Sequence, residues 1–157
     1  MIDIGGGFPS FNNDLENRFK NHVTFIEQYI SKYKTLSKYN FVGEPGRFIV
    51  DNTMTLKLSV INKKQKIINN EQYNIYYIND GLYGSMNGVI FDGREIEYKH
   101  PQKYKTILYG QTCDSFDKIE CMLPEFNIGD TITLNNFGAY SWASASTFNG
   151  FNLPNLN

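Results

Sequence analysis

The sequence predicts an α/β segment over residues 1–50 followed by an all-β domain over residues 51–157, the latter an antiparallel barrel or sandwich. Three observations carry this. One apolar stripe of helical period lies between two short apolar runs near the start. After about Val50 the period of the apolar residues changes from 3.6 to 2. From there on Asn, Asp, Gly and Pro break the chain at short intervals, as they do between many short strands.

The elements follow in order. Met1 to Ile4 is short and apolar and stops at Gly5-Gly6-Gly7, which reads as a strand ending in a tight turn. From about Asp14 to Tyr39, Leu15, Phe19, Val23, Ile26, Ile30 and Tyr33 recur at steps of four and three, the stripe of an amphipathic helix. Asn12, Asn13 or Asp14 is available to cap it. Phe41-Val42 reads as a second strand, so strand, helix and strand form a βαβ unit with parallel strands. Met54, Leu56, Leu58 and Val60 then share one face of a strand, with Thr55, Lys57 and Ser59 on the other. Residues 73–78, 88–91, 106–109 and 131–134 read as further strands, punctuated by Asn69-Asn70, Asp92-Gly93, Pro124 and Asn127-Ile128-Gly129-Asp130. The Ala- and Ser-rich end, residues 138–151, accommodates a helical turn.

Composition narrows the function classes. With 41% hydrophobic and 20% charged residues the chain is a folded globular protein rather than a disordered one. Its 15 basic and 16 acidic side chains leave a formal charge of −1, which gives no reason to expect nucleic acid or an anionic membrane as partner. Lys63, Lys64 and Lys66 form the one basic cluster, read as the solvated end of a hairpin. No apolar run reaches the roughly 20 residues that span a bilayer. No secretory signal is visible, and Cys113 and Cys121 lack metal-ligand spacing, so free thiols, no metal and a cytoplasmic location are expected.

Four places could carry chemistry. Gly5-Gly6-Gly7, between a strand and a helix, can present successive N–H groups to a phosphate, although a plain turn explains three glycines equally well. In Glu44-Pro45-Gly46-Arg47 an acid and a base flank a turn that also forms without any ligand. In Gly110-Gln111-Thr112-Cys113-Asp114-Ser115 a thiol beside a carboxylate can act as general acid. Gly138-Ala139-Tyr140, running on to Ser146-Thr147-Phe148-Asn149-Gly150-Phe151, places a phenol after glycine.

Taken together and in this order, these motifs resemble the C-terminal part of the ornithine decarboxylase branch of the pyridoxal-phosphate-dependent amino-acid decarboxylases. Ile4 through Pro9 matches the family's phosphate loop, which implies cofactor contacts for Gly5, Gly6 and Gly7. Glu44 matches the carboxylate facing the pyridine nitrogen; Gly46, Arg47 and Tyr140 match phosphate contacts. Cys113 matches the general acid, and Asp114 and Asp92 match the acids that bind the substrate's distal amine. Asp114, where relatives acting on arginine or diaminopimelate typically carry Glu, implies ornithine or a similar basic amino acid as substrate. The same run includes Asn79-Asp80-Gly81 and Tyr83-Gly84-Ser85, with Tyr83 implied near a dimer interface. Gln111, Phe91 and Asn135 depart from the family's usual proline, tyrosine and glutamate.

The resemblance also implies a fold. In the family a (β/α)8 barrel of roughly 250 residues precedes the β domain, so residues 1–50 are expected to be the last βα units of an incomplete barrel. No lysine lies in a sequence matching the cofactor's anchoring lysine. The expectation is therefore a truncated or split enzyme, inactive alone, partnered by a separate barrel polypeptide, a homodimer mate, or both. The rival expectation is a non-catalytic homologue that binds a decarboxylase subunit or its regulator. Either way the chain should expose an apolar patch along Met1 to Ile4 and the helix stripe.

Overall fold

A computed structural model describes residues 1–10 and 15–156, with side-chain surroundings given from residue 18 onward within the first helix. The chain divides into two compact units, Met1–Met54 and Thr55–Asn157.

In the first unit, β1 (Ile2–Asp3) runs parallel to β2 (Phe41–Val42), with Ile2 opposite Phe41 and Asp3 opposite Val42. Between them lies α1 (Leu15–Lys32). It ends before the expected Tyr39, because the chain tightens into successive turns in which Leu36 and Tyr39 donate to the carbonyls of Tyr33 and Leu36. The expected caps at Asn12, Asn13 and Asp14 lie outside the described residues. Of the predicted stripe, Phe19, Val23, Ile26 and Ile30 are half-buried and Tyr33 is exposed; Phe25 and Tyr29, outside the stripe, are exposed too. Phe19 stacks on Phe48 at 3.9 Å and meets Phe8 at 5.7 Å. The unit closes with α2 (Gly46–Val50) and a 3-10 turn over Asp51–Thr53.

The second unit is a five-stranded sheet in the order β6-β5-β4-β3-β7. Its strands are β3 (Thr55–Ile68), β4 (Glu71–Ile78), β5 (Tyr104–Tyr109), β6 (Lys118–Leu123) and β7 (Thr131–Asn135). The expected antiparallel barrel or sandwich is instead a mixed sheet: β4 and β5 run parallel, with Ile75 opposite Ile107. The long connection from Ile78 to Tyr104 allows this, since parallel strands need a crossover rather than a hairpin. That connection contains α3 (Gly88–Phe91), where a strand was expected. Ile90 and Phe91 both donate to the Asn87 carbonyl, so the β-branched run is closed into a helical turn.

Alternation builds the core. Leu58 and Val60, Tyr76 and Ile78, Leu108, Ile119 and Leu123, and Ile132 and Leu134 face one side, joined by Leu82, Met86, Phe126 and Phe137. Each buried aliphatic side chain contributes about 1.5–3 kcal/mol. The buried Tyr76 satisfies its hydroxyl by accepting the Phe126 N–H at 3.0 Å. On the opposite face Tyr77 stacks on Tyr109 at 5.5 Å, with the Lys64 ammonium 5.2 Å from the Tyr77 ring. Lys63, Lys64 and Lys66 lie in β3 on the β3–β4 hairpin, with Lys64 and Lys66 exposed, and Lys63 pairs with Glu125 at 2.8 Å. The turn itself is Asn69-Asn70, with φ of 51° and 64°.

Candidate functional site

The first unit brings six of the candidate residues into one neighbourhood. β1 runs into Gly5 and Gly7 at φ of 71° and 82°, a region open chiefly to glycine. A Cβ on either would meet nothing within 4 Å, so the loop has room above it. The Asp3 carboxylate accepts the Gly5 N–H, and the Gly5 carbonyl accepts the Glu44 N–H, both at 2.8 Å. A Cβ on Gly6 would lie 3.0 Å from the Glu44 carbonyl. The glycine loop and the Glu44 loop are therefore adjacent because their strands pair. Glu44 is exposed, Gly46 opens α2, and Arg47 in its first turn lies 4.0 Å from the buried Asp51.

In the second unit two buried carboxylates organise the loops at the strand ends. Asp117 accepts N–H bonds from Leu82 at 2.8 Å and Thr112 at 3.1 Å, and the Thr112 hydroxyl at 2.8 Å. Asp80 accepts from the N–H groups of Gly81 at 2.7 Å and Ser85 at 2.9 Å through one oxygen; its other oxygen is buried without a partner. Burial pushes the Asp80 carboxyl above the usual carboxylate range, and the nearby Asp117 charge adds to the rise. Side chains would not fit beside these acids: a Cβ on Gly81 or Gly110 would collide with the Asp117 carboxylate, and one on Gly84 with that of Asp80. Gln111 ties the same loops together by donating to the Asn79 carbonyl.

Cys113 and Asp114 project from this frame. Asp114 accepts the Tyr83 hydroxyl at 2.5 Å and the Phe116 N–H at 2.9 Å. Those bonds, the Tyr83 one foremost, hold its carboxyl below the usual range. The Tyr83 ring stacks on Phe148 at 4.3 Å, and its carbonyl accepts both the N–H and the hydroxyl of Ser146. The exposed Cys113 thiol lies 3.7 Å from the Asn149 amide. Cys113, Asp114, Tyr83, Phe148 and Asn149 thus form one constellation, beside a groove of about 620 Å³ lined by Asp80, Tyr83, Thr112, Asp117, Phe148 and Phe151. The other thiol, Cys121, is pushed up to about 12 by burial and is chemically quiet.

Asp92 and Tyr140 belong to a neighbouring cluster. Asp92 is exposed just after α3, and its N–H donates to the Gly88 carbonyl at 3.1 Å. Tyr140 is exposed, at φ of 50°, and its carbonyl lies 3.6 Å from where a Gly88 Cβ would be. Asn87 links this cluster to the Tyr83 loop by donating to the carbonyls of Gly84 at 2.7 Å and Ser141 at 3.1 Å. The sequence named Cys113, Asp114, Asp92 and Tyr140, and Asp80 and Tyr83 as part of the resemblance, but not the bonds by which Tyr83 and Asp80 hold the loops, nor Asp117 and Asn87. Glycine follows Asp80, Tyr83 and Asn87, but no glycine adjoins Asp117, which no local signal marks.

Comparison with known proteins bears on the whole chain. The family model for the C-terminal sheet domain of pyridoxal-dependent decarboxylases matches residues 47–138. The ornithine decarboxylase of Rattus norvegicus is 37% identical over 99% of this chain and 38% of its own length. Antizyme inhibitor 2 of Xenopus laevis is 36% identical over 96% of this chain and 37% of its own length. Among solved structures, lysine/ornithine decarboxylase of Vibrio vulnificus complexed with cadaverine superposes with a TM-score of 0.70 at 30% identity, over 96% of this chain and 42% of that one. The Paramecium bursaria Chlorella virus arginine decarboxylase bound to agmatine gives 0.70 at 29% identity, over 95% and 41%. The chain thus spans about two fifths of the length of these relatives.

Proposed function

The chain belongs to the pyridoxal-dependent decarboxylase family, and from that premise we propose that it supplies the sheet-domain half of an enzyme converting L-ornithine to putrescine and carbon dioxide. In this reading residues 1–50 are the last βα units of the family's barrel, and the cofactor-anchoring lysine comes from polypeptide outside these 157 residues. The observation that carries it is the Tyr83–Asp114–Cys113 arrangement, in which an ionised carboxylate and an exposed thiol share one loop.

The residues fit pyridoxal phosphate. The open left-handed glycines at Gly5 and Gly7 leave space for a phosphate, with Gly6 between them and Arg47 of the same unit as a further ligand; the Tyr140 phenol matches a phosphate contact of the family. Gly46, at the start of α2, lets the backbone come close to that phosphate. The exposed Glu44 carboxylate suits a protonated ring nitrogen. The cofactor, when bound, draws off the electron pair left as carbon dioxide departs. This chain's own residues do the rest. Asp114, held ionised by the Tyr83 hydroxyl, and Asp92 bind the distal ammonium of a basic amino acid. The Cys113 thiol returns a proton to the α-carbon, a step worth about 10²–10⁴-fold, and Asn149 orients its sulfur. The family's architecture implies that a dimer mate receives this loop.

A second reading rests on the likeness to antizyme inhibitor 2: the chain binds a decarboxylase subunit or its regulator and performs no chemistry. One experiment separates them. The chain is co-expressed with an ornithine decarboxylase barrel polypeptide, supplied with pyridoxal phosphate, and assayed for carbon dioxide release from ornithine. Turnover that falls about 10²-fold or more with Cys113→Ala supports the enzyme. Tight association without turnover supports the binding protein.

A further inference from the structure

Arg94 is not used by the reaction outlined above, yet its side chain crosses from the turn after α3 to the segment that carries Tyr140. It donates to the carbonyls of Asn136 and of Ala139, the latter at 3.0 Å, and its guanidinium carbon lies 4.7 Å from the centre of the Phe137 ring. Its own N–H donates to the Gly88 carbonyl at 3.0 Å. The segment it grips is strained. Asn136 and Tyr140 stand at φ of 62° and 50°, and a bulky aromatic side chain in that region persists only where surrounding contacts over-determine it.

The chemistry suits arginine in particular. A planar guanidinium can bond two carbonyls and lie against an aromatic ring at once, which a lysine ammonium cannot. Gly88 leaves the passage open, since a Cβ there would sit 3.4 Å from the Arg94 Nε. On the far side the Asn87 amide holds the Ser141 carbonyl at 3.1 Å, and the Ser141 hydroxyl donates to the Phe137 carbonyl. The turn is thus fixed from both flanks, and Arg94 is the member that also sits two residues from Asp92.

We propose that Arg94 is a positioning residue: by holding the Asn136 and Ala139 carbonyls it keeps Tyr140 in its left-handed backbone, directs the phenol to the cofactor phosphate, and couples the Asp92 loop to the same turn. The direction of the phenol towards the phosphate rests on the phosphate role given to Tyr140 above.

The test uses the 157-residue chain, labelled for NMR, with Arg94→Ala and Arg94→Lys. The wild-type Tyr140 HN–Hα coupling should report a left-handed φ, and both variants should shift it towards extended values while the β4 and β5 resonances stay in place. Pyridoxal phosphate added to the wild type should move the Tyr140 resonances, with the apparent affinity about tenfold or more weaker in either variant, the factor that loss of one charge-assisted bond implies. Millimolar guanidinium should recover part of that loss in Arg94→Ala, which a general loss of stability would not permit. Should Arg94→Ala fail to fold, Arg94→Lys alone decides, because it keeps the charge and the stem. Unchanged Tyr140 coupling in Arg94→Lys overturns the proposal. A wild type whose Tyr140 ignores pyridoxal phosphate overturns the phosphate role instead, and the coupling still decides whether Arg94 fixes the turn.

Discussion

Asp114 keeps its charge because Tyr83 donates to it, and this single bond sets what the loop can bind. Tyr83→Phe removes the donor while leaving the ring on Phe148, so the Asp114 carboxyl should titrate at higher pH, read directly by NMR of the labelled side chain. An unmoved titration would show that the Phe116 N–H suffices. Asp80 behaves in the opposite sense. Burial raises its folded value, so the folded chain holds that proton more tightly than the unfolded one. The contribution to stability is complete below the ordinary carboxylate range and is lost as pH rises through the folded value. Asp80→Asn copies the protonated form, and should match the wild type at about pH 4 and melt higher than it at pH 8. Asp80→Ala instead strands the N–H groups of Gly81 and Ser85, at a cost of about 2–4 kcal/mol in urea unfolding at either pH.

At the scale of elements, the β3–β4 hairpin turns on Asn69-Asn70, both left-handed, and a two-residue turn of that kind is best served by Asn-Gly. Asn70→Gly should therefore raise stability by about 0.5–1 kcal/mol, measured as a higher melting temperature. Gly110→Ala should do the reverse by about 2–4 kcal/mol, because its Cβ enters the Asp117 carboxylate that joins the two loops. These elements also show what a sequence reader can see. Leu56, Leu58 and Val60, and Ile132 and Leu134, announced β3 and β7 by alternation alone. Val89-Ile90-Phe91 announced a strand with equal force, and lost to the Asn87 carbonyl, which draws two N–H groups into a turn. Strand β6 alternates Ile119, Cys121 and Leu123 inward, but Lys118 and Glu120 on its outer face disguised it. Candidate site residues could be picked out where residue types recur in the family's order, as in Cys113-Asp114. The site was not legible where a bond spans distant segments, as from Arg94 to Ala139 or Asp117 to Leu82, because no local pattern encodes such a partner.

The two units of the whole molecule differ in what holds them together. Among the described residues every fully buried apolar side chain lies between Leu58 and Ala139, within the sheet unit. Among the described residues the apolar side chains of Met1–Met54 are at most half-buried, as Ile2, Phe8, Leu36, Phe41, Phe48 and the stripe of α1 are, while Phe25 is 66% and Tyr29 51% exposed. An 18-residue helix with so little burial is marginal, since helices in water owe most of their stability to a covered face. Its amides should therefore open locally at about 1–3 kcal/mol, whereas those of β4 and β5 should approach the global value. Hydrogen exchange on the 157-residue chain reads this directly, and urea should remove helical signal before sheet signal. Adding a barrel polypeptide that covers the Phe25–Tyr33 face should raise protection in α1 and merge the two transitions. A single transition in the chain alone, with α1 protected as well as β4, would mean that Met1–Met54 is a self-sufficient unit, and the barrel-remnant reading would fall with it.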